Sequence, residues 1–209
     1  MLSNLKGEIL LATNNAGKLL ELRQLLINIP DLTLLSPAEM GINLDVEETG
    51  NTYAENASLK AAAFLQASGI VTLADDSGLE VAALNGEPGL RSKRYAGVPG
   101  ASDADRRAFL LKNLAGRPRP WTARFVAWVA LAIPDEKIRL WEGICPGEII
   151  PEERGNNGFG YDPIFFIPAA GKTMAEFSDK DKNALSHRGN AVKAALPELE
   201  SLLSNLTRL

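Results

Sequence analysis

The chain reads as an α/β protein built on one elongated mixed β-sheet with flanking helices. Three observations predict it: short apolar runs alternate with helix-period segments through the first half, two long apolar runs stand side by side in the middle, and helical periodicity returns at the end. Strands separated by helices favour parallel pairing, whereas strands joined by a short turn favour antiparallel pairing, so one sheet is expected to contain both.

Residues 8–12 give the first strand, and 18–27 a helix with Leu19, Leu22, Leu25 and Leu26 on one face. A short strand over 32–35 precedes an acid-rich polar loop over 36–50. Asn51 and Thr52 offer side-chain oxygens to cap a helix over 53–68, with Ala54, Ala57, Ala61, Phe64 and Leu65 inward. So many alanines imply close packing against a neighbour. The apolar run 70–74 predicts a buried strand that ends at Asp75-Asp76, where open α/β sheets place their ligands. A further apolar run covers 79–84, and the Gly/Pro-rich stretch over 86–100 reads as loop. A helix over 103–114 leads to strands over 124–133 and 138–145, whose polar connection, Pro134-Asp135-Glu136-Lys137, suits a hairpin. A strand over 164–167 and helices over 179–196 and 198–206 complete the pattern.

With 209 residues, 45% of them apolar, the chain is long enough to bury a substantial core, and no linker or repeat divides residues 1–209, so a single domain is expected. The formal net charge of −4, without a lysine or arginine run, argues against a nucleic-acid polymer as partner but leaves room for a small anion. Cys145 is the only cysteine, which excludes an intrachain disulfide and a thiolate metal cluster and suits a small buried hydrophobe. The first seven residues lack a signal-peptide pattern, and no apolar stretch approaches the ~20 residues that span a bilayer; a soluble, cytoplasmic protein is expected.

Five segments carry candidate chemistry. The adjacent carboxylates Asp75 and Asp76 repel, and a divalent cation, a lysine or a shared proton would offset that cost. The loop Thr13-Asn14-Asn15-Ala16-Gly17-Lys18 opens a helix, whose backbone N–H groups and positive dipole end suit a phosphate, with Lys18 adding a cation. It is not a Walker A loop, since Leu19 stands where Ser or Thr would hold magnesium. Glu47 lies in the acid-rich loop as a candidate third metal ligand, whereas Glu48 and Glu55 suit helix-dipole roles. Phe159, Gly160, Tyr161 and Asp162 sit in a glycine-rich turn where an aromatic face can meet a base, and Lys182, His187 and Arg188 bring three donor-bearing side chains within seven residues.

Taken in order, Thr13-Asn14-Asn15-Ala16-Gly17-Lys18, Glu47-Glu48-Thr49-Gly50, Glu55-Asn56-Ala57, Ala74-Asp75-Asp76-Ser77-Gly78-Leu79, Pro88-Gly89, Arg94-Tyr95, Phe159-Gly160-Tyr161-Asp162-Pro163 and Ser186-His187-Arg188-Gly189 resemble the inosine triphosphate pyrophosphatase family across nearly the whole chain. Asn14 departs from the glycine that many bacterial members carry. The resemblance implies two lobes around a central cleft, a homodimer, and magnesium-dependent hydrolysis of non-standard purine nucleoside triphosphates (ITP, dITP, XTP) to monophosphate and pyrophosphate. It further implies that Thr13, Asn14, Asn15, Ala16, Gly17 and Lys18 hold the triphosphate and that Asp76 is general base and metal ligand. Asp75 and Glu47 would complete the metal site and Ser77 would touch substrate. Phe159, Gly160, Tyr161 and Asp162, with Lys182, His187 and Arg188, would enclose purine and sugar.

Overall fold

The computed structural model describes residues 7–206. Among them are strands β1 (Glu8–Leu11), β2 (Thr33–Leu35), β3 (Thr72–Val81), β4 (Trp121–Ala132), β5 (Arg139–Ile149), β6 (Phe165–Ile167) and β7 (Lys172–Thr173). The helices are α1 (Ala16–Leu26), α2 (Tyr53–Ser68), α3 (Asp103–Leu114), α4 (Asp179–Leu185) and α5 (His187–Leu206). The strands form one sheet in the order β2-β1-β3-β4-β5-β6-β7. β1 runs parallel to both β2 and β3, while β5-β6 and β6-β7 are antiparallel, so the sheet is mixed as its connections require. Among the described residues no helix is long and apolar enough to cross a membrane.

The chain packs as two units. One holds the residues up to Asp76, Ala127–Gly143 and those from Arg188 onward; the other holds Ser77–Val126 and Ile144–His187. In the first, strand alternation sorts side chains into two cores. Ile9, Leu11, Val71 and Leu73 join Leu22 and Leu26 of α1 and Ala191, Val192 and Ala195 of α5. Leu10, Ala12 and Ala74 join Ala57, Ala61 and Phe64 of α2, where the alanines allow the close approach their number implies. The second unit has its own core, in which Leu79, Leu110, Leu114, Phe125, Tyr161 and Phe165 take part. Cys145 lies in it, buried, with its thiol pushed up to about 11 by burial and the nearby Asp162 charge.

The helix starts follow their sequence signals. Asn15 caps α1 by accepting from Lys18 N, and Thr52 caps α2 by accepting from Glu55 N. Ser102 and Asp105 make a reciprocal capping box at α3. At the far end of α2, Gly69 takes φ 73° and donates to Leu65 O, the left-handed turn that glycine accepts at least cost.

Three boundaries differ from the sequence expectation. β3 does not end at the Asp pair but runs through it to Val81, absorbing the start of the run expected over 79–84. The acids, serine and glycine look like a turn locally, yet β4 lies beside β3 in the sheet and gives its backbone partners. The Gly/Pro-rich stretch contains a 3-10 helix, Gly89–Arg94, rather than loop alone. The closing helices divide at Ser186, which is extended at φ −70°, ψ 158°, and not beside Pro197, which sits inside α5.

Replacing the α2 cap, Thr52→Ala, is expected to lower stability by about 1 kcal/mol, because Glu55 N loses its acceptor. Urea unfolding with an unchanged m-value reads this out.

Candidate active site

β3 carries both acids of the pair, and alternation along the strand sends them to opposite faces. Asp75 follows Leu73 toward the α1 and α5 core, and Asp76 follows Ala74 toward α2. Both lie just beyond the end of β1, whose pairing with β3 reaches Leu11 opposite Leu73. Each therefore touches different cations.

Asp75 is 1% exposed. Its Oδ2 accepts from Arg188 Nε at 3.1 Å and Nη2 at 2.9 Å, and Lys18 Nζ lies 3.1 Å away. Arg188, itself 1% exposed, turns its Nη1 onto the buried Glu21 of α1. Burial alone would raise the Asp75 pKa, but Arg188, Lys18 and Lys60 outweigh it and hold the carboxyl well below the usual range. Oδ1 of the same carboxylate is buried and has no hydrogen-bond donor among the described residues. Lys18 is pushed below the ordinary lysine value by burial, with Asp75 opposing and Lys60 and Arg188 adding to the drop.

Asp76 has the opposite poise. Its Oδ1 accepts from Lys60 Nζ at 2.7 Å and its Oδ2 from Asn56 Nδ2 at 3.5 Å, both donors on α2. Burial pushes its pKa above the usual carboxylate value, more than Lys60 and Lys18 pull it down. Lys60, also 3.3 Å from Glu48, is raised: burial acts against its charge, and Asp76, Asp75 and Glu48 more than offset that. So one carboxyl is held well below the usual range and its neighbour is raised above it.

The loop entering α1 is held by its own polar groups. Thr13 Oγ1 accepts from Asn15 N at 3.2 Å, Asn15 caps the helix, and Asn14 Nδ2 donates to Leu44 O at 3.0 Å. That last bond ties the loop to the acid-rich segment in which Glu47 is exposed. Among the described residues no group of three or more His, Cys, Asp or Glu is gathered to hold a metal ion.

In the second unit, Asp162 Oδ2 accepts from Lys182 Nζ at 2.5 Å and from Phe159 N at 2.8 Å, and all but the half-buried Phe159 are buried. Lys182 Nζ also lies 4.9 Å from the Phe159 ring centroid, within cation–π range. Tyr161 is buried and donates its OH to Ser92 O at 2.9 Å. His187 stacks on Phe125, with centroids 4.7 Å apart and planes at 15°. Ser77 is half-buried at the unit's first position.

The sequence-selected residues thus fall in two groups: Thr13 to Lys18, Glu47, Asp75, Asp76 and Arg188 in the first unit, and Ser77, Phe159 to Asp162, Lys182 and His187 in the second. Arg188, expected at the purine, has its guanidinium turned onto Asp75 and Glu21. Sequence reasoning did not place Glu21 or Lys60 in the site. Their signals were a charged residue inside an apolar helix face, three positions after Lys18, and a lysine two turns into an alanine-rich helix.

Removing the cation of the buried triad, as Arg188→Met, is expected to cost about 3–5 kcal/mol, because Asp75 and Glu21 stay buried with one partner fewer. A folded pKa below the unfolded one stabilises above the ordinary carboxylate range and loses its contribution as pH falls through it. The stability gap between wild type and Arg188→Met should therefore narrow in acid, as urea unfolding at pH 7 and in acid would record.

A model of the Ham1 family matches residues 9–198. A dITP/XTP pyrophosphatase from Nostoc sp. is 46% identical over 198 residues, covering 94% of this chain and 96% of that protein. The solved structure of the Staphylococcus aureus Ham1 protein superposes with a TM-score of 0.80 at 41% identity, over 95% of this chain and 98% of that one. A Ham1 protein structure from Coxiella burnetii gives 0.79 at 41% identity, over 97% and 99%. Sequence and fold agree over nearly the full length of both partners in each pairing, and the chain belongs to the Ham1 family.

Proposed function

We propose that this protein hydrolyses ITP, dITP and XTP to the nucleoside monophosphate and pyrophosphate, removing non-standard purine nucleotides from the pool. The observation that carries the reading is the divided acid pair: Asp76 buried against Lys60 with a raised pKa, and Asp75 anionic beside Lys18 at the start of α1. Its support from relatives is the 46% identity to a protein named dITP/XTP pyrophosphatase.

Thr13 to Lys18 receive the triphosphate at the positive end of α1, and Lys18 adds its ammonium to the phosphate oxygens. Asp76 takes the proton of the attacking water as the new phosphorus–oxygen bond forms. The anhydride bond then breaks, and the departing phosphate group takes the electron pair, which yields monophosphate and pyrophosphate. Lys60 and Asn56 fix the orientation of Asp76 for this step. Asp75, held by Arg188 and Lys18, keeps a negative charge at the phosphate end.

A divalent cation, magnesium in this proposal, would be held by Asp75, Asp76 and Glu47 together with phosphate oxygens and water, and would neutralise charge on the phosphates. The buried Oδ1 of Asp75, anionic and without a donor, suits such an ion.

Phe159 offers its face to the purine, and Ser77, Gly160, Tyr161 and Asp162 shape the surroundings. Lys182 and His187 supply donors, which match the 6-oxo acceptor of hypoxanthine or xanthine and meet a donor in adenine. A mismatch of this kind discriminates by roughly 10⁴ in favourable cases. Arg188 contributes through Asp75. The working assembly proposed is a homodimer, on the strength of the family resemblance.

A panel of triphosphates with magnesium is expected to give pyrophosphate, not phosphate, from ITP, dITP and XTP, with poor turnover of ATP and dTTP. Phosphate as the product would overturn the reaction class. Asp76→Asn should lower kcat by at least about 10²-fold while ITP still binds. Wild-type turnover in that variant would remove Asp76 as the base.

A further inference from the structure

Phe159 stands in a segment that has little stiffness of its own. Gly155, Gly158 and Gly160 have φ of 78°, 75° and 64°, and glycine-rich backbone loses more entropy on ordering than any other. What orders it comes from α3. Asp103 and Arg107 lie four residues apart on one face of that helix. Asp103 Oδ2 accepts from Gly160 N at 2.7 Å, and Arg107 Nη1 donates to Gly160 O at 2.9 Å. Both backbone groups of the residue that follows Phe159 are thus taken by one turn of α3. Arg107 then uses its other edge as a fork, with Nε and Nη2 2.8 Å and 2.9 Å from the two carboxylate oxygens of Glu153. Asp103 is itself steadied by Arg106. From within, Asp162 accepts from Phe159 N.

We propose that Asp103 and Arg107 are positioning residues for the nucleobase: they clamp Gly160 and thereby hold the Phe159 ring where the purine stacks. The inference rests on the reading that Phe159 meets the base. The clamp sets the ring before substrate arrives, so it acts on affinity for the base and not on bond breaking, which belongs to residues of the other unit.

Steady-state kinetics on Arg107→Ala and Asp103→Asn test it. KM for ITP is expected to rise about 10-fold with kcat within about 2-fold of wild type, because a charge-assisted bond to the loop is lost. Inhibition by inosine monophosphate should weaken in parallel, while inhibition by inorganic tripolyphosphate, which has no base, stays at the wild-type value. Glu153→Gln, at an exposed position, breaks only the fork and should give a smaller rise in KM, so the test survives a folding defect in the other variants. An unchanged KM in all three, or equal loss of tripolyphosphate and monophosphate binding, overturns the clamp. Phe159→Ala separates the two levels. If it raises KM and the clamp variants do not, the clamp alone fails; if it leaves KM unchanged, the stacking reading fails and takes the clamp with it.

Discussion

Two carboxylates on consecutive residues avoid one another here because they lie inside a strand. Successive side chains of β3 point to opposite faces, so Asp75 and Asp76 turn away from one another just beyond the end of β1 and each meets a different helix layer. The cations then follow the layers: Lys18 of α1 and Arg188 of α5 serve Asp75, and Lys60 of α2 serves Asp76. A turn at the same residues would leave both acids in one environment with one pKa poise. The strand gives two: an anion locked by buried cations, and a carboxyl whose pKa is raised by burial.

The same logic explains the weight carried by Arg188. A buried guanidinium is tolerated where its donors are taken by carboxylates, and Glu21 and Asp75 occupy both ends of the fork. Glu21 looks misplaced in α1, a polar residue next to Leu22 on the core side, until its partner from 167 positions later is seen. In the second unit Lys182 and Asp162 form a comparable buried pair, and the ring of Phe159 lies over the lysine. Charge is kept inside each unit by pairing, which leaves functional groups fixed in orientation before any ligand arrives.

Local signals were legible wherever the physics is local. The helix over 53–68 begins and ends where its cap and its following glycine say it must, and the α3 capping box marks its own start. The strand through Asp75-Asp76 and the break at Ser186 were not legible. Asp-Asp-Ser-Gly has turn character in isolation, and only a neighbouring strand makes extension favourable. Pro197 looks like a helix boundary in isolation, yet α5 passes through it while Ser186 turns extended.

By itself the sequence determined the α/β class, the mixed sheet and the family, and it pointed to the candidate segments, because periodicity, capping and ordered motifs act over a few residues. Tertiary structure alone decided which cation meets which acid. Lys18, Lys60 and Arg188 reach β3 from three helices, and no spacing in a linear chain encodes the face of the sheet on which each helix packs. That choice of face is what gave a repelling pair two opposite pKa shifts.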